Sequence, residues 1–205
     1  MAEDGFIRSR ITPHKTPSRP SLVGAPSLRR AIAGGFFLPE AMTLLRQIAE
    51  NIIAPGLALL PPKMDSREAR VMLLAIGQQE SGFLHRVQRP LRVGGSPGPA
   101  RGFWQFERGG GVKGVMEHRA SAALARDLCE ARGVEFKRMP VWSALATDDL
   151  LACGFARLLL FTDPRPLPAV GDPEAGWGYY VRNWLPGKPH HDRWGSNYRR
   201  AAEVG

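Results

Sequence analysis

The stretch from Asp65 to Gly82 constrains the fold more than any other part of the chain. Asp65, with Glu68 three residues on, has the spacing of a capping box and starts a helix. Val71, Leu74 and Ala75 share a face with Gln78, while Met72, Leu73 and Ile76 widen the apolar stripe. A stripe that wide suits a helix buried by the rest of the chain. Gly82 stops the helix, which places Glu80 in its last turn, beside unpaired carbonyls and the negative end of the helix dipole. That setting disfavours the ionised carboxylate and raises its pKa, as a general acid requires. The competing reading is a solvated carboxylate at a helix end.

The flanking segments are also helical. Met42, Leu45, Ile48, Ala49 and Ile52 recur at helical spacing between Pro39 and Ile53, and Pro55-Gly56 is expected to end that helix. Leu57 to Leu60 then forms a short apolar turn before Pro61-Pro62. A second helix runs from His118 to about Arg132, with Gly133 as its stop. Thr147 to Phe161 reads as a core helix with acids at its start and prolines after it. Between residues 176 and 187 four large aromatics fall within eight residues. On a helix Trp177, Tyr180 and Trp184 share one face. They serve either as core anchors or, for Tyr179 or Tyr180, as lining of a groove. Sustained period-2 alternation and internal repeats are absent, so the fold class is mainly α.

Residues 1–38 differ in kind. Pro13, Pro17, Pro20 and Pro26 alternate with Ser, Thr and Arg, which leaves little to bury. The expectation is a basic, disordered or extended arm over 1–38, followed by one helical domain over 39–205. The net charge of +9 favours polyanionic surroundings such as nucleic acid, an anionic membrane or an acidic cell wall, without choosing among them. Cys129 and Cys153 have no metal-ligand spacing and lie in apolar helical contexts, so both are expected as buried free thiols. No stretch is apolar enough to span a bilayer. Arg29-Arg30 and the apolar run after them lack a convincing cleavage site, which argues against an export signal. Gly109 to Gly114 lacks the Gly-Lys-Ser/Thr ending of a phosphate loop and is read as a turn. His190, His191 and Asp192 have no second ligand pair, so neither a metal nor a cofactor is expected.

About twenty residues after Glu80 comes Arg101-Gly-Phe-Trp-Gln105, continuing to Glu107. Gly102 permits close backbone approach, and Gln105 can donate and accept hydrogen bonds, which suits a sugar hydroxyl or N-acetyl group. The loop from Pro90 to Pro99 would border the site.

Gln79-Glu-Ser-Gly-Phe83 followed by Arg101-Gly-Phe-Trp-Gln105 resembles the lysozyme-like superfamily. The likeness is greatest to the soluble lytic transglycosylases and related phage wall-degrading proteins, and it rests on two ordered motifs within residues 65–107. The resemblance implies a lysozyme-like helical domain around a glycan groove. It makes Glu80 the general acid/base, Ser81 an orienting serine and Gln105 a groove glutamine. Phe103 and Trp104, in place of two aliphatics, imply a differently shaped groove. The family's Asn-x-x-x-Gly motif has Leu150 at its Asn position, and its Ala-Tyr-Asn motif is only echoed by Tyr179, Tyr180 and Asn183.

The implied activity is cleavage of the MurNAc–GlcNAc bond of peptidoglycan, for phage entry or lysis. Glycosidases usually need two carboxylates, about 5–5.5 Å apart for retention or roughly 6.5–9.5 Å for inversion. A transglycosylase needs one, because the resemblance implies attack by the sugar's own 6-hydroxyl. Glu107 is the best candidate for a second acid, ahead of Asp148 and Asp149. Ser81, Phe103, Trp104, Gln105, Glu107, Tyr179 and Tyr180 are the expected substrate-binding set. The expected partners are glycan strands and other virion or tail proteins, without nucleic acid or a membrane span. The protein would reside in the virion, or in the host cytoplasm before assembly, and act on the wall in the periplasm. The alternative is a non-catalytic virion or wall-binding protein on the same scaffold.

Overall fold

A computed structural model describes residues 37–90, 95–187 and 189–205. The arm expected over residues 1–38 lies outside the described residues up to 36, as does the run after Arg29-Arg30 as far as Phe36. The body from Phe37 to Gly205 is mainly helical.

Helix α1 (Phe37–Ile48) leads through a π-helical turn (Ala49–Ile53) into α2 (Ala54–Ala58). Pro55 therefore does not end the first helix as expected. The proline lacks an N–H and its ring crowds the carbonyl one turn back. The wider turn absorbs this, with Ala54 N–H bonding to Ala49 O, five residues back. A short 3₁₀ turn (Pro62–Met64) precedes α3 (Arg67–Glu80). The cap of α3 is Ser66, whose Oγ accepts from Ala69 N–H at 3.2 Å. Asp65, the expected cap, instead holds Arg70 through two contacts of 2.6 and 2.7 Å. As anticipated, α3 is buried along its length, from Ala69 to Gly77 with only Arg70 partly exposed.

Two strands of two residues each follow, β1 (Ala100–Arg101) and β2 (Phe106–Glu107), paired antiparallel. They are too short to leave an alternation in the sequence. The glycine run after them forms a π-helical turn (Arg108–Val112) that enters α4 (Lys113–Glu117). Next come α5 (Ala122–Ala131), α6 (Arg138–Ala144) and α7 (Asp149–Thr162). The chain closes with α8 (Pro173–Trp184) and α9 (His191–Val204).

Two helices form the centre. α7 is buried from Leu151 to Leu160, and α3 packs against both it and α9. α2, α4 and α5 cover other sides of α7. Close approach depends on particular glycines. A Cβ on Gly77 would lie 2.1 Å from the Phe83 ring, so the bare backbone of α3 is what seats that ring. Cys129 and Cys153 are buried free thiols, as expected. Burial pushes the Cys129 thiol up to about 11. No described helix is long and apolar enough to cross a membrane.

Candidate active site

The end of α3 is reversed by two consecutive residues in the left-handed region, Gly82 at φ +63° and Phe83 at φ +56°. Ser81 fastens this reversal. Its Oγ donates to Gly77 O at 3.2 Å and accepts from Phe83 N–H at 3.1 Å. Phe83 then drops into the core against Phe103 and Trp104. Glu80 is left facing a cavity of about 750 Å³ lined by the end of α3, residues 85 and 87–89, the short hairpin and the end of α8. Ser81, Gln105, Glu107 and Tyr180 line it too.

α8 completes the site. Asp172 caps the helix by accepting from Ala175 N–H at 2.9 Å, and Pro173 occupies its first turn. Two turns later Tyr180 donates its phenol proton to Glu80 Oε1 at 2.6 Å. The Tyr180 ring stacks on Trp194 of α9, with centroids 5.2 Å apart and planes within 12°. A polar network holds the last turn of α3 onto α9 from behind. Asn197 donates to Gln79 Oε1 at 2.8 Å, Gln78 donates to Asn197 O at 2.9 Å, and Arg200 reaches Gln78 Oε1 at 3.1 Å.

The electrostatic result is a weakened acid. Burial raises the Glu80 carboxyl to about 7, against the smaller opposing effect of the Tyr180 hydrogen bond. Burial and the neighbouring carboxylate hold the Tyr180 phenol proton well above its ordinary range. With Oε1 engaged by Tyr180, the second carboxyl oxygen of Glu80 can carry a proton toward a ligand. A carboxyl half-protonated near neutral pH can both give and take a proton there.

Among the lining residues the other carboxylate is Glu107, exposed and with no hydrogen bond or ion pair among the described residues. Asp148 and Asp149 do not line the cavity. Asp148 accepts from Leu150 and Leu151 N–H and pairs with Arg132, while Asp149 holds Arg86 through two bonds of 2.7 Å.

Three expected substrate contacts are corrected. Phe103 is 2 % exposed and Trp104 fully buried, with the indole N–H donating to Leu73 O at 2.9 Å. Large rings beside the apolar face of α3 gain more from burial than from exposure in a groove. Tyr179 is 2 % exposed, and its hydroxyl bonds Leu160 O at 2.8 Å inside the core. Successive helical residues point about 100° apart, so Tyr179 and Tyr180 cannot share a target. Gln105 does line the cavity, but its amide is already oriented. Nε2 donates to Gly102 O at 2.8 Å, so it presents Oε1 and acts as an acceptor.

Sequence reasoning missed His85, Trp184, Leu185 and His190 as lining residues, and named Asn183 only as an echo of the family's Ala-Tyr-Asn motif. Asn183 and Trp184 were readable in principle, three and four residues after Tyr180 on one helix face. The histidines carried no spacing signal. Among the described residues, the non-glycine positions at positive φ are Phe83, Gln105 and Leu185, at +56°, +51° and +46°. Gln105 and Leu185 line the cavity, and Phe83 lies in the turn that follows Glu80 with its ring in the core. Such strain collects where surroundings over-determine a functional geometry. No group of three or more potential metal ligands occurs among the described residues. Compared with known protein families, curated proteins and solved structures, the chain gives no match.

Proposed function

We propose that this protein cleaves the MurNAc–GlcNAc bond of peptidoglycan on a lysozyme-like helical scaffold, with Glu80 as general acid and then base. The observation that carries this reading is a carboxyl near pKa 7, hydrogen-bonded by Tyr180, facing a large open cavity. The ordered resemblance of residues 79–83 and 101–105 to lytic transglycosylases supports it independently of that geometry.

In the first step protonated Glu80 gives its proton to the glycosidic oxygen as the bond to the anomeric carbon breaks. In the second, the resulting carboxylate takes a proton from the attacking oxygen. If that oxygen is the sugar's own 6-hydroxyl, one carboxyl suffices and the product is an anhydro sugar. If it is water, Glu107 is the available second carboxylate on the cavity wall. The reading favours the single-acid route, because Glu107 is exposed and nothing fixes its position. The net charge of +9 suits an anionic wall, and a virion-borne role in wall penetration follows by analogy with phage proteins of this type.

The test is mass spectrometry of purified peptidoglycan after incubation with wild type and with Glu80→Gln. Anhydromuramyl products from wild type alone support transglycosylation through Glu80. Reducing-end products would move the reading to hydrolysis. Binding without products, from folded wild type on several wall types, would overturn the enzymatic reading and leave a wall-binding protein.

A further inference from the structure

Asn183 lies three residues after Tyr180 on α8, so the two share a helix face about one turn apart. Both line the cavity. The orientation of the Asn183 amide follows from its partners. Nδ2 donates to Asp163 Oδ2 at 3.2 Å and to Tyr179 O at 2.8 Å. Both are pure acceptors, so the NH₂ end must face them and the carbonyl end must face away. Oδ1 accepts no hydrogen bond among the described residues.

Asp163 is built to keep that orientation. Its side chain is 4 % exposed at the end of α7, and it is held by Arg165 through contacts of 3.0 and 3.2 Å and by Arg182 at 3.4 Å. These partners hold its carboxyl down at about 2, although burial works the other way, so it is an anion at any working pH. An ionised carboxylate cannot donate, and a flipped amide would set two oxygens against each other. Gln105 shows the same polarity across the cavity, with its NH₂ engaged by Gly102 O. The cavity therefore offers side-chain acceptors beside the acid and calls for donors on the ligand.

We infer that Asn183 is a specificity-determining residue whose Oδ1 accepts from the acetamido N–H of the ring bound beside Glu80, with Asp163 as its positioning residue. This rests on the glycan reading above, in which every ring carries an acetamido group.

The test compares chitotetraose with its 2-deoxy analogue, which differ in acetamido against hydrogen at C2, so that only the first has a donor there, by calorimetry on the full chain. Wild type should prefer chitotetraose, and Asn183→Ala should lose about five- to tenfold of that preference, the worth of one neutral hydrogen bond. Asp163→Asn should erode the same ratio by freeing the amide to flip, which a purely structural role would not do. Asn183→Ala removes two hydrogen bonds, one of them to the buried Asp163, so its melting temperature should fall somewhat, and affinities are compared where both proteins are fully folded. Equal affinities in wild type, or a preference unchanged in Asn183→Ala, would overturn the assignment while leaving peptidoglycan cleavage standing. Failure to bind either sugar, with no cleavage of the wall, would overturn both readings together.

Discussion

Replacing Glu80 by Gln should stabilise the protein, and by an amount that depends on pH. The Glu80 carboxyl has an ordinary value of 4.5 and a folded value of about 7. Below pH 4.5 folded and unfolded chains both hold the proton, and the residue is neutral to stability. As pH rises from 4.5 to 7, the unfolded chain ionises while the folded chain retains its proton, so stability falls. Above 7 the loss is complete. At about 1.4 kcal/mol for each tenfold in proton affinity, the full loss is about 3 kcal/mol. Glutamine does not titrate and keeps an oxygen for the Tyr180 hydroxyl. The advantage of Glu80→Gln over wild type should therefore be near zero at pH 4 and about 3 kcal/mol at pH 8. For a chain of this size that corresponds to roughly 6–12 °C in melting temperature. Urea and thermal denaturation of both proteins across pH 4–8 measure it directly. Parallel stability curves for the two proteins would refute the reasoning, because they would mean that Glu80 ionises alike in the folded and unfolded chains.

Tyr180→Phe removes the hydrogen bond that lowers the Glu80 pKa, so the alkaline limb of a cleavage-rate profile should move to higher pH. A limb that stays in place or moves down would count against Tyr180 as the donor. Glu107→Gln should leave cleavage within about tenfold of wild type, since its carboxylate is exposed and unheld. A hundredfold loss in that rate would instead give Glu107 an acid–base role. Gly77→Ala drives a methyl into the Phe83 ring, 2.1 Å away, and should destabilise by about 1–3 kcal/mol in urea titrations. Cleavage should weaken too, since Phe83 anchors the turn that follows Glu80.

The buried centre of the fold was legible because periodicity reports burial. The stripe over Val71–Ile76 and the run over Leu150–Leu159 correspond to α3 and α7. Glu80 was legible for a related reason, since an apolar helix ending just before Gly82 fixes its place. What stayed hidden depended on partners distant in sequence. Pro55 reads as a stop, and only the π-helical turn before it lets the helix continue. Phe103 and Trp104 look alike as groove aromatics or core aromatics until the position of α3 is known. The partner of the acid, Tyr180, was one of two adjacent tyrosines, and the rotation of α8 is what separates them. Asn183 acquires its meaning from Asp163, twenty residues earlier on another helix.

The covering of Glu80 comes from far along the chain. Tyr180 meets it across 100 residues, and the bonds joining the last turn of α3 to α9 span 118 to 122. A folding intermediate in which α3 and α7 have packed but α8 and α9 have not would carry Glu80 in water, as an ordinary carboxylate fully ionised at neutral pH. The raised pKa, and with it a proton to give at neutral pH, is then acquired only when the long loops leading to α8 and α9 have closed. The same dependence works in reverse. Any local opening that lifts α8 and α9 away returns the carboxyl to its solution pKa and disarms it, so proton donation at neutral pH is confined to the fully docked molecule.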